Sequence, residues 1–161
     1  MAITQLGRQV IHQKASGTHS GLTQADANEG VLVRYNAGNT AWQNGQPQYV
    51  KTNAVNQRAA GVVQNVAGAN ITSSTEPSLD PRGTAPGGSV VTVATQGFVL
   101  LKFDTALTAT SSGQRVWPST TAGLAATHAS TIPAGAVFLG TIVAADDNTN
   151  NVGLVALNLP D

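Results

Sequence analysis

Apolar residues in this chain recur at every second position in short runs, and glycine, proline or asparagine breaks each run. A period of two places alternate side chains on opposite faces of an extended backbone, so the pattern predicts strands. The first is Gly30 to Tyr35, "GVLVRY", with Val31, Val33 and Tyr35 on one face, running into the turn signal "NAGN" at Asn36 to Asn39. Further strands are predicted at Gln48 to Thr52 and at "AAGVVQNV". The clearest run is "SVVTVATQGFVLLKF", where Val91, Val93, Val99, Leu101 and Phe103 share one face and Thr92, Gln96 and Lys102 the other. Gly97 interrupts it, and a glycine there predicts a bulge or a tight bend joining two strands. "DTALTATSSG", from Asp104 to Gly113, is a connector with room for one helical turn. "GQRVWP", "VFLGTIVAA" and "NVGLVALNL" supply the remaining strands.

Laid side by side, the two halves repeat. "EGVLVRYNAGNTAW" corresponds to "SGQRVWPSTTAGLAAT", "AAGVVQNV" to "FLGTIVAA", and "VVTVATQGFVLL" to "VGLVALNL". Gly30 matches Gly113, Gly38 matches Gly123 and Gly61 matches Gly140, at separations of 83, 85 and 79 residues, as expected where loops differ in length. Strands rich in Gly, Val and Ala also resemble one another by composition alone. Gly61 and Gly140 precede the β-branched pairs Val62–Val63 and Ile142–Val143, in runs apolar on both faces. Such runs read as strands buried on both sides, where a missing side chain lets another backbone approach, as two units packed face to face require.

Residues 1–29 carry only Ile3, Leu6, Val10, Ile11 and Leu22 as sizeable apolar groups, with Ser16, Gly17, Ser20 and Gly21 as breakers. This segment reads as an extended arm without a core of its own. Residues 30–161 form the β domain, with related units at about 30–103 and 113–159. A loop at 73–89, "SSTEPSLDPRGTAPGGS", is rich in proline and glycine. The expected fold is all-β: a compact β-barrel or β-tulip-like domain built from two related antiparallel units, with an extended N-terminal arm.

Composition narrows the function. Charged residues make up 10% of the chain and cancel to a net charge of zero, against roughly 25% charged in an ordinary domain. The electrostatic footprint of a nucleic-acid or anionic-membrane partner is therefore not expected. Cysteine is absent, which excludes disulfides and thiolate metal sites. The apolar runs fall well short of the roughly 18 residues of a membrane span. The first residues, "MAITQLGRQVIHQKASG", lack a signal-peptide core, so synthesis in a cytoplasm without classical export is expected.

Candidate chemistry is sparse. His12, His19 and His128 have no carboxylate partner at helical spacing and read as solvated polar residues. "ADDNTNN" opens like a calcium loop at Asp146, but the later glycine and glutamate are missing, and a hairpin turn fits better. Trp42 and Trp117 fall near equivalent turns, where they either stack on a sugar ring or cap the ends of the β units. No P-loop, nucleophile elbow or carboxylate pair is present, so the expectation is no enzyme, no metal and no cofactor.

The order arm, G-x-x-V strand, Ala-Gly turn, Gly-Val-Val strand and Val-rich strand ending in "GFVLL" resembles the small head decoration, or cement, proteins of tailed bacteriophages. "AAGVVQNV" followed by "VTVATQGFV" is similar in layout to the lambda-type decoration protein. "GQRVWPSTTAGLA" through "FLGTIVAADDNTNNVGLVALNL" is similar to another family of phage capsid-stabilising proteins. The resemblance covers about residues 30–159, and this chain differs in its Pro/Gly loop and fuller second half. It implies a virion protein, made in the host cytoplasm, that sits on the outer surface of an expanded capsid. It also implies the major capsid protein as partner and a homo-oligomer, a trimer favoured over a dimer. Ile3, Leu6, Val10 and Ile11 of the arm would hold the capsid by adding a strand to a sheet edge. A phage fibre or receptor- and glycan-binding module is the alternative from a different class.

Overall fold

A computed structural model describes residues 17–37, 42–43, 45–66, 84–85, 87–145 and 151–159. The chain is nearly all β. Its strands are β1 (Gly17–Thr23), β2 (Ala27–Asn28), β3 (Leu32–Tyr35), β4 (Trp42–Gln43), β5 (Gln46–Lys51), β6 (Gly61–Val66), β7 (Thr84–Ala85), β8 (Val90–Lys102), β9 (Arg115–Pro118), β10 (Ala125–Thr127), β11 (Gly140–Ala145) and β12 (Val152–Asn158). The connector after β8 holds one short 3-10 turn, Ala109–Ser111.

Five strands close a barrel. β5 pairs antiparallel with β3, β3 with β6, and β6 with the first half of β8. β1 completes it, antiparallel to β8 from Leu22↔Val90 to Gly17↔Gln96 and parallel to β5 at Leu22↔Gln48 and Thr23↔Tyr49. The second half of β8 then begins another ring. It pairs with β12 from Gln96↔Asn158 to Lys102↔Val152, β12 pairs with β11, β11 with β9, and β9 with β10. A single parallel bridge, Phe103↔Ala125, returns to the end of β8.

The two rings match bond for bond. Gly30 N–H donates to Val63 O and Gly113 N–H to Ile142 O, both at 2.8 Å. Val63 N–H donates to Val31 O at 3.0 Å, and Ile142 N–H to Gln114 O at 2.9 Å. The ladders of β6 and β11 both shift register one residue past the matching position, between Val63 and Asn65 and between Ile142 and Ala144. Composition alone does not reproduce bonds and bulges in register, so the repeat is real. Gly30 and Gly113, with φ of 79° and 84°, share the left-handed conformation that glycine adopts without steric cost.

Two expectations about boundaries are corrected. Residues 17–29 are not arm: β1 is a barrel strand and β2 pairs with β7. The second unit does not start at Gly113, because the second half of β8 does for it what β1 does for the first. β1 escapes a pattern search because "GTHSGLT" has one large apolar residue. Its glycine has a cause: a Cβ on Gly21 would lie 2.5 Å from Tyr49 Cε2, so the tyrosine ring packs directly on this backbone. In the second ring the volumes are exchanged. The pair Thr23↔Tyr49 becomes Phe103↔Ala125, and the aromatic comes from the other strand.

β8 is likewise one strand, not two joined by a bend. Gly97, at φ 103°, marks where it passes from one ring to the other. Gln96 pairs with Gly17 of the first ring and Asn158 of the second. The predicted apolar face serves both: Val91 and Val93 belong to one buried cluster, and Val99, Leu101 and Phe103 to the other. Neighbouring residues of β3, β6 and β8 also divide between the clusters. Val33, Val63 and Val93 fill the first, while Leu32, Val62 and Ala94 join the second. These strands are therefore a wall between two cores, and β6 is buried on both faces as expected.

β11 is not. Ile142 is buried, but Thr141, Val143 and Ala144 are exposed, since among the described residues no third ring covers the face equivalent to that of Val62. The close backbone approach at the two glycines also comes from within each ring. A Cβ on Gly61 would meet Ala94 O at 2.8 Å, and one on Gly140 would meet Ala156 O at 2.1 Å.

Candidate functional site

The parallel pairing of β1 with β5 stops at Leu22 and Thr23, and three rings bridge the two strands beyond it. Tyr35 and Tyr49 are directly opposed on β3 and β5, with ring centroids 5.7 Å apart. His19 of β1 stacks on Tyr35 at 5.9 Å and tilts against Tyr49 at 5.8 Å. Tyr49 is buried and Tyr35 is 52% exposed, so the cluster runs from the core to the surface. Burial first, and Tyr35 beside it second, push the Tyr49 hydroxyl well above its ordinary value, and it stays protonated. Its hydrogen bond is to His19 Nδ1. The other ring nitrogen, Nε2, lies 3.4 Å from Tyr35 Oη, so the imidazole joins the two hydroxyls.

Beside these rings is a cavity of about 490 Å³ lined by His19, Arg34, Tyr35, Arg58, Ala59, Ala60, Thr95 and Leu159. Arg34 Nη1 donates to Tyr35 O at 3.3 Å, while its Nε is buried and makes no hydrogen bond. The chain's first described residue is close by, since a Cβ on Gly17 would overlap Thr95 Oγ1. The site thus combines guanidinium groups, an imidazole, a half-exposed tyrosine and an alanine and leucine floor. That set can bind and orient an anionic or amphipathic group.

The residues singled out in the sequence are distributed differently. Ile3, Leu6, Val10 and Ile11 lie outside the described residues, as do His12, most of the 73–89 loop and Asp146 to Asn150. Trp117 is buried and packs edge-on against Phe138, 6.4 Å between centroids, with the Arg115 guanidinium 4.9 Å over the Phe138 ring. At 3% exposure it is not open to a sugar. His128 is exposed, and its Nδ1 accepts from the N–H groups of Ser130 and Thr131. His19 departs from the solvated reading, being partly buried and bonded to Tyr49. Its partners are fixed by barrel closure between distant segments, and nothing local to "GTHSG" signals them. Among the described residues, no three His, Asp or Glu side chains cluster in a way that could hold a metal ion. No described helix is long and apolar enough to cross a membrane.

No family model matches the chain, and no curated protein matches it.

Proposed function

We propose that this chain is a structural virion protein that binds the outside of the expanded capsid of a tailed bacteriophage and stabilises it by bridging major capsid protein subunits. The observation that supports this reading is the doubled ring. The layout that resembles the decoration proteins occurs in both halves with the same backbone bonds and the same bulge. A body of two rings joined by one continuous strand suits a rigid brace across neighbouring subunits.

The contact to the shell is assigned to the N-terminal segment, now limited to residues 1–16. The chain enters the first barrel at the pair Gly17↔Gln96, beside the seam between the rings. Backbone pairing of "TQLGRQVIH" with a capsid sheet edge would supply affinity, with Ile3, Leu6, Val10 and Ile11 in shallow pockets. Three copies around a three-fold or quasi-three-fold axis would multiply modest single contacts.

The test is co-sedimentation of the purified chain with expanded heads and with unexpanded heads of the phage whose genome encodes it. Saturable binding to expanded heads alone is the expected result, with strong weakening when residues 1–16 are removed. Absence of binding to both forms would overturn the reading. Binding to host cells in its place would favour a fibre or receptor-binding role.

A further inference from the structure

We infer that the cavity bordered by Arg34, Arg58, His19 and Tyr35 is a binding site for a carboxylate group, an inference that does not rest on the capsid reading. The chain has only eight lysines and arginines, yet two arginines and a histidine converge here, and the described lining contains no Asp or Glu. The buried Nε–H of Arg34 has no acceptor among the described residues. Leaving a charged donor desolvated and unpaired is costly, and an entering anion removes that cost. A carboxylate matches the planar fork of arginine with two parallel N–H···O bonds, which a spherical anion cannot form.

The rest of the lining describes what carries the carboxylate. Ala59, Ala60 and Leu159 are buried apolar groups, and Tyr35 exposes half of its ring. About 490 Å³ lies within the range of small-ligand pockets, roughly 300–1,000 Å³. The ligand is thus a carboxylate on a short stem or ring. An acidic side chain and a sugar acid both have that chemistry.

The experiment records arginine Nε–H and backbone amide NMR spectra of the full chain during titration with N-acetylglutamate α-amide, glucuronate and the neutral N-acetylglutamine α-amide. Saturable shifts of the Arg34 Nε–H with either acid, and none with N-acetylglutamine α-amide, are expected. The acid that binds more tightly identifies the source as a protein side chain or a sugar. Arg34→Gln should weaken binding by about tenfold or more, the loss of one charge-assisted pair. Its amide spectrum away from the cavity should be unchanged, and Arg58→Gln provides a second variant should the first fail to fold. Equal shifts with N-acetylglutamine α-amide, displacement by equimolar chloride, or no saturable response would overturn the assignment.

Discussion

Single residues carry the strongest constraints of this fold, and the glycines show why. Gly140 looks dispensable in a half-exposed strand, yet a side chain there would collide with the carbonyl of Ala156 on the paired strand, and backbone cannot swing aside. Gly140→Val is expected to cost on the order of 1 to 3 kcal/mol by overpacking, read as a lower melting temperature; an unchanged value would contradict the register of β11 on β12. Tyr49 makes a different prediction. Its hydroxyl titrates above the ordinary value of 10.0 in the folded chain, whereas an unfolded chain ionises near that value. The contribution to stability is therefore intact below pH 10 and falls as pH rises through the window above it. Unfolding free energy measured at about pH 9 and about pH 11 should drop less in Tyr49→Phe than in the wild type. An equal drop in both would mean that other groups govern the alkaline limb.

At the scale of elements, the parts legible in the sequence were those whose apolar alternation is self-contained. β3, β6, the long β8 and β12 all announced themselves, and the match of Gly61 with Gly140 gave the register the ladders show. β1 did not, because its stability comes from backbone pairing on both edges and from the Tyr49 ring lying on Gly21, neither of which leaves a local pattern. The passage of β8 between rings was hidden for a related reason. Gly97 marked the position, but whether a strand bends back or continues into a second ring depends on partners far along the chain. The binding cavity was illegible for the same cause, since His19, Arg34, Arg58 and Thr95 come together only on barrel closure. The arm can now be divided. Removing residues 1–16 should leave the melting temperature close to that of the full chain, because the first barrel keeps all five strands. Removing residues 1–29 deletes β1, opens the ring beside β5 and β8, and should produce loss of cooperative unfolding followed by circular dichroism. Equal behaviour of the two truncations would contradict the closure described here.

At the scale of the whole molecule, two rings share one strand and a wall of β3, β6 and β8, so neither core is complete without the other. Such a body resists relative motion of its halves and suits a bracing role on a lattice. The face of β11 left without a third ring among the described residues, with Thr141, Val143 and Ala144 exposed, is the position where a further unit would stack if the repeat continued. The most direct measurement is an electron cryo-microscopy reconstruction of expanded heads saturated with the full chain. The account predicts added density on the outer surface, divisible into paired rings and gathered in threes at three-fold or quasi-three-fold positions. Heads that show no added density at saturating protein would contradict it.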